Sequence, residues 1–373
     1  PSARSPGSQT RRLSIRSPSC SPFVSPGIQP TRCPGATTVT RRPTIVDVAK
    51  RAGVSKSLVS LVMRDAPNVG GGSREAVLNA ARELGYRPNA VARSLVHQRS
   101  QVFGCVMSDL HNPFFADVAD GIEESAVAGG YRALLSGGYL DAMREATAVD
   151  TLLQLQVDGL ILMGPMMDGA AITAVADRTP VVVVGQRTRG RSMDSVSNDD
   201  SAGVNAVIDH LVELGHEHIA HIHAGAVGAS RGRRRGYEAA MRRHGLEDRI
   251  RTVRGAFTEG GGRAATSALI ASGNLPTAVF IANDFAAMGA LDALDAAGIR
   301  VPRDLSIVGY DDIASSHSSR VALTTVAQPS VEIGRIAVRL LVERLEHGRE
   351  ASRHVVLPPR LVIRDTTAAP RDR

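Results

Sequence analysis

From residue 101 onward the chain alternates short apolar runs with amphipathic stretches, and this alternation constrains the fold more than any other feature. VFGCVMSDL reads as a buried strand, residues 115–129 as a helix, YRALLSGG as a strand, residues 141–156 as a helix and VDGLILMG as a strand again. A second series follows: HIAHIHA, helices over 234–244 and 262–272, AVFIAND, a helix over 285–297, and LSIVGYDD. Strands separated by helices pair in parallel, because each helix returns the chain to the starting edge by a right-handed crossover. Two doubly wound α/β lobes are expected, with ligands outside the carboxyl ends of their strands. At 373 residues the chain can bury several cores, and with 3% aromatics and no Trp those cores must be Val, Leu, Ile and Ala.

The first hundred residues follow a different rule. Residues 44–63, TIVDVAKRAGVSKSLVSLVM, predict two short helices joined by a tight turn, the shape that lays one helix in a DNA major groove. Thr44 and Asp47 have capping-box spacing, Gly53 suits a left-handed turn position, and Ser55 caps the second helix. Ile45, Val48, Ala49, Leu58, Val59 and Val62 form the inner faces; Lys56, Ser57 and Ser60 stay outward. Taken alone, the segment also fits an ordinary helical hairpin. A third helix is expected from a Ser73 cap, with Glu75 in its first turn, a stripe of Val77, Leu78, Ala81 and Leu84, and Gly85 at its end.

Charge follows the same division. The net charge is +7, yet residues 1–43 carry seven Arg and no acid, and residues 44–99 carry a net +5, so the rest is net −5. Basic charge is concentrated where phosphates would be met. Cys20, Cys33 and Cys105 have no metal or redox spacing. His216, His218, His221 and His223 are close in sequence, but a structural role outweighs a metal site. The chain has no GxxxxGK[ST] loop, no GxGxxG after the first strand and no GxSxG elbow, so no cofactor and no enzymatic activity are expected. No apolar run reaches the roughly 18 residues of a membrane helix, and a cytoplasmic protein is expected.

In combination, VAKRAGVS, LGYRPNAVARSL, DLHNPFF, VDGLIL, NDD, HLVELGH, GYEAAM, ANDFAAMGAL, VPRDLSIVGYDD and LTTVAQP make residues 44–365 similar to the LacI/GalR family of transcriptional repressors. The resemblance implies a helix-turn-helix domain before a two-lobed core of the periplasmic-binding-protein type. It also implies double-stranded operator DNA, a small polar effector and a second copy of the chain as partners, with a tetramer left open. The effector is a sugar or polyol, with a nucleobase second. DNA contacts fall on Thr44, Ser55, Lys56, Ser57, Ser60, Asn89, Arg93 and Leu95. Residues 90–95 are too short for a stable isolated helix; they would fold on DNA, with Leu95 as a minor-groove wedge. Effector contacts fall on Asp109, Phe114, Phe115, Arg233, Asn283, Asp284 and Asp311. Two positions depart from the family pattern: Leu61 replaces a common arginine, and Gly185 or Gln186 a common aspartate.

The expected boundaries are a disordered basic tail over 1–42, the helix-turn-helix over 43–88, and a hinge helix with linker over 89–100. The core spans 101–366, its first lobe about 101–195 and 325–352, its second about 196–324 and 353–366; residues 367–373 are a disordered tail. The Ser/Pro/Arg-rich residues 1–38 are either a basic arm or lie upstream of the native start, the second being favoured since Val39-Thr-Arg-Arg-Pro is an ordinary beginning. An intact mass of the native protein decides between them.

Overall fold

The computed structural model describes residues 41, 43–87, 99–188, 193–225 and 228–371. The basic tail, the proposed hinge helix, and with them Asn89, Arg93 and Leu95 lie outside the described residues. The chain divides into a unit ending at Pro88 and a unit beginning at Asn89.

The first unit packs α1 (Ile45–Ala52), α2 (Lys56–Met63) and α3 (Gly71–Leu84) around Val48, Ala49, Val59, Val62, Val77, Ala80 and Ala81. Asp47 accepts from both the Thr44 backbone N–H and its hydroxyl, each at 2.7 Å, fixing the entry to α1. Gly53 closes α1 at φ 66°, a left-handed position. Ser55 Oγ accepts from Leu58 N at 3.2 Å and caps α2. The third helix departs from expectation. It starts at Gly71, because Arg74 N already bonds to Gly70 O, so Ser73 sits inside the first turn rather than at the cap. Leu78 also lies outside the core, 43% exposed; Ala80 takes the place it was expected to fill.

The second unit is two parallel sheets with helices on their faces. The first lobe has the strand order β11-β5-β4-β3-β1-β2: β1 (Val102–Met107), β2 (Arg132–Gly137), β3 (Gly159–Met163), β4 (Val181–Val184), β5 (Met193–Asn198) and β11 (His354–Leu357). Helices α4 (Pro113–Ala128), α5 (Ala142–Gln154), α6 (Gly169–Ala176) and α11 (Ser330–His347) cover it. The second lobe has the order β7-β6-β8-β9: β6 (Ile219–His223), β7 (Arg251–Arg254), β8 (Ala278–Ile281) and β9 (Ser306–Val308). Its helices are α7 (Asp200–Glu213), α8 (Gly228–Arg243), α9 (Glu259–Ala271) and α10 (Asp284–Ala296). In each lobe the first strand has its successor on one side and the later strands on the other, so the topological switch point opens at the same edge of both sheets.

Two expected boundaries need correction. His354–Leu357 pairs with Ser195–Asn198 in the first lobe's sheet, so the last crossing falls at Pro358-Pro359 and not near 353. Thr325–Ala327 (β10) then pairs antiparallel with Arg360–Val362 (β12), a two-stranded hinge outside both sheets. Residues 367–371, expected as a loose tail, are held instead. Ala368 exchanges both its N–H and its carbonyl with Ser306 Oγ, and His216 Nε2 donates to that same carbonyl at 2.9 Å. Among the described residues no helix is long and apolar enough to cross a membrane.

Candidate DNA-reading helix and effector cleft

In the first unit, Lys56 and Ser57 are exposed on the opening turn of α2. Ser60, one turn on, is half-buried, and Leu61 beside it is 39% exposed. Thr44 and Ser55 are engaged in capping, which positions the two helices rather than leaving a free hydroxyl.

In the second unit the carboxyl ends of the strands converge on one cleft. Asp109, Phe114 and Phe115 reach it from the segment after β1, Gln186 after β4, Asn198 from the end of β5, Phe257 after β7, Asn283 after β8 and Asp311 after β9. Phe114 and Phe115 are edge-on, with ring centroids 5.3 Å apart, and form an apolar wall. Asn283 caps α10 through Ala286 N at 3.0 Å and donates to Phe257 O at 3.2 Å, which holds that loop beside the cleft.

Arg233 organises the floor. It is 4% exposed, its Nε donates to Asp200 Oδ1 at 3.1 Å, and its Nη1 donates to the Ala282 carbonyl at 2.6 Å. Its guanidinium lies 3.7 Å above the Tyr310 ring, and Asp311 Oδ1 is 3.7 Å from Nη1. Burial opposes the charge on Arg233, but Asp200 and Asp311 outweigh it and raise its pKa. For Asp311 burial wins: its pKa is pushed up to about 7 against the pull of Arg233. Asp311 also sits at φ 125°, a strained conformation for a residue with a Cβ, of the kind that clusters at functional sites. A glycine at position 203 is required here, because a Cβ there would come within 2.4 Å of Tyr310 Oη.

The structure brings Asp109, Phe114, Phe115, Arg233, Asn283 and Asp311 to one cleft. It does not bring Asp284, which is a correction to the sequence reading. Asp284 is fully buried, and its carboxylate accepts from Ile313 N at 3.1 Å and from the Ser316 and Thr325 hydroxyls at 2.5 Å each. These three donors make the carboxylate a brace for the loop after β9, and Asp284 does not line the cleft. Sequence reasoning missed Asn198, Asp200, Phe257 and Gln328. Asn198 and Asp200 were within reach, since NDD follows a strand end; Gln328 was not, since only the hinge pairing of β10 carries it to the cleft. Among the described residues no group of three or more His, Cys, Asp or Glu could hold a metal ion. His216 and His221 are instead committed to Thr277 and to the Phe280 carbonyl.

Comparison with known proteins agrees with this architecture. Residues 44–89 match bacterial regulatory proteins of the lacI family, and residues 208–367 match a periplasmic binding protein-like domain. The HTH-type transcriptional repressor PurR of Erwinia tasmaniensis is 35% identical over 330 residues, 87% of this chain and 97% of the relative. The chain belongs to the LacI family of bacterial regulatory proteins. This LacI-family protein is a DNA-binding transcriptional regulator with an effector-binding core. A lac repressor dimer bound to operator and the anti-inducer ONPF superimposes with a TM-score of 0.77 at 29% identity, covering 88% of this chain and 100% of that one. A complex of the transcriptional regulator CelR with cellobiose gives a TM-score of 0.65 at 30% identity, covering 87% and 100%.

Proposed function

We propose that this regulator is a homodimeric repressor, working in the cytoplasm on a near-palindromic operator, and that a polyhydroxylated effector in the cleft switches its affinity. The observation that carries the effector reading is the buried Arg233–Asp200–Asp311–Tyr310 group, which lies between polar side chains from both lobes and the Phe114–Phe115 wall. Carboxylates and amides beside aromatic faces suit vicinal hydroxyls on an apolar ring. The site binds rather than reacts: its charged groups are tied to one another, and the named relatives are regulators. The complex of CelR with cellobiose supports a ligand of this kind.

The hinge supports the switch. The lobes are joined at the end of β5, at β10 and at Pro358-Pro359, so a ligand touching both sheets favours one relative orientation. It shifts DNA affinity only by binding one orientation better than the other. Self-association is supported by β2, an edge strand with Leu134 and Leu135 both at least 40% exposed. The test is a gel shift of the full chain on DNA upstream of its own gene, across salt concentrations and with a panel of free sugars and polyols. A specific complex that at least one compound weakens or strengthens is expected. Binding no tighter than to random DNA at every salt concentration overturns the reading.

A further inference from the structure

Among the described residues that line the cleft, carboxylates outnumber basic side chains. Among the described residues that line it, Arg233 is the one arginine or lysine, and it is already engaged with Asp200, the Ala282 carbonyl, Tyr310 and Asp311. Three carboxylates, those of Asp109, Asp200 and Asp311, line the same space. Acidic residues alone would define nothing, since they also serve as caps and ion-pair partners.

Asn198 supplies the independent observation. It is 8% exposed at the end of β5, and its Nδ2 donates to Tyr310 Oη. The Tyr310 hydroxyl in turn bonds to Asp200, a carboxylate that can only accept, so Tyr310 gives its proton there and receives one from Asn198. This chain fixes the amide orientation. Asn198 Oδ1 is thereby left shielded from solvent with no hydrogen-bond partner, in a residue that lines the cleft. A buried acceptor without a donor is costly and uncommon in folded proteins. A ligand hydroxyl or N–H placed on it removes that cost.

We propose, resting on the effector reading above, that Asn198 Oδ1 is a specificity-determining acceptor for an effector hydroxyl or N–H. The same site restricts the effector to uncharged or cationic polyhydroxy compounds: free sugars, polyols or amino sugars. A phosphorylated or carboxylated sugar is rejected. Its anion would face three carboxylates at low local dielectric, with a guanidinium already neutralised by its neighbours. Like-charge placement of this kind discriminates more strongly than a missing favourable contact.

The experiment is calorimetric titration of the full-length protein with a matched panel: glucose, ribose, sorbitol and cellobiose, glucosamine, and glucose 6-phosphate and ribose 5-phosphate. Phosphate esters are expected to bind at least 100-fold more weakly than their parents. Monodeoxy analogues of the tightest binder are then compared on the wild type and on Asn198→Ala. One deoxy position should weaken wild-type binding at least tenfold and make no difference to the variant. A phosphate ester that binds as well as its parent overturns the inference while leaving the effector reading intact. Deoxy discrimination that survives Asn198→Ala overturns the role of Asn198. Absence of any binder across the panel overturns the effector reading itself, and this inference with it. The phosphate arm uses wild-type protein only, so it decides the charge selectivity even if the variant fails to fold.

Discussion

Gln328 Nε2 donates to Asp311 Oδ1 at 2.6 Å, joining the residue that follows hinge strand β10 to the carboxylate at the cleft floor. A ligand that engages Asp311 therefore acts on the segment that connects the lobes. Effector hydroxyls donating to Asp311 favour its ionised form, and burial has pushed that ionisation up to about 7. Effector affinity should rise with pH through about 7 and level off above it, falling by up to about tenfold per pH unit on the acid side. Titrations from acid to mildly alkaline pH check this. Asp311→Asn should bind more weakly and lose most of the pH dependence; an affinity flat with pH in the wild type would disprove the assignment.

Asp284 should behave as a brace and not as a ligand contact. Asp284→Ala leaves Ser316, Thr325 and the Ile313 N–H without their acceptor in a fully buried place. Stability should fall by about 2–4 kcal/mol, whereas effector affinity of the folded fraction changes far less than for Arg233→Ala. Denaturant melts paired with titrations separate the two; an Asp284→Ala stability within about 0.5 kcal/mol of the wild type would contradict the brace.

The second lobe should be sensitive to acid through His221. Its ring is fully buried, stacked on Phe280 with centroids 4.6 Å apart, and its Nδ1 donates to the Phe280 carbonyl while Nε2 has no partner. Burial lowers its pKa to about 3. The unfolded chain therefore takes up a proton below about 6.5 that the folded state refuses. Its stabilising effect is full above that value and shrinks as pH falls, by up to roughly 1.4 kcal/mol per unit. His221→Phe should flatten the slope of unfolding free energy between pH 6.5 and 4, measured by urea melts.

Asp194 should be intolerant of substitution. It is fully buried and bonded by both Arg344 and Arg349, at 2.7–3.0 Å, and by the Arg353 backbone N–H. The group ties β5 to the end of α11 and to the loop before β11. Asp194→Asn takes the counter-charge from two largely buried guanidiniums and should cost about 3–5 kcal/mol. A melting temperature within a degree or two of the wild type would refute this.

Lys56, exposed at the start of α2, should read bases. Lys56→Ala should weaken binding to the operator by about 1–3 kcal/mol and leave random-sequence binding nearly unchanged. Competition gel shifts measure both. Equal loss on both DNAs would make Lys56 a phosphate contact.

Much of this protein is written in local patterns. The alternation of apolar and amphipathic runs sets the strand and helix order, because side-chain periods of 2 and 3.6 are properties of neighbouring residues. Thr44, Gly53 and Ser55 set the turns of the DNA-reading domain for the same reason: caps and left-handed turns are decided within four residues. The residues at strand ends, Asp109, Asn283 and Asp311, follow once the parallel topology is known. What depends on distant partners was settled only by packing. The side of the hinge on which His354–Leu357 pairs depends on β5, more than 150 residues earlier. Whether Asp284 faces a ligand or a loop depends on Ser316 and Thr325, which the chain carries back to it. The orphaned oxygen of Asn198 exists because Tyr310 and Asp200 arrive to claim the rest of the amide's neighbourhood. A sequence names the polar groups; only the tertiary fold decides which of them remain unpaired, because burial and hydrogen bonding are set by contacts far apart in the chain.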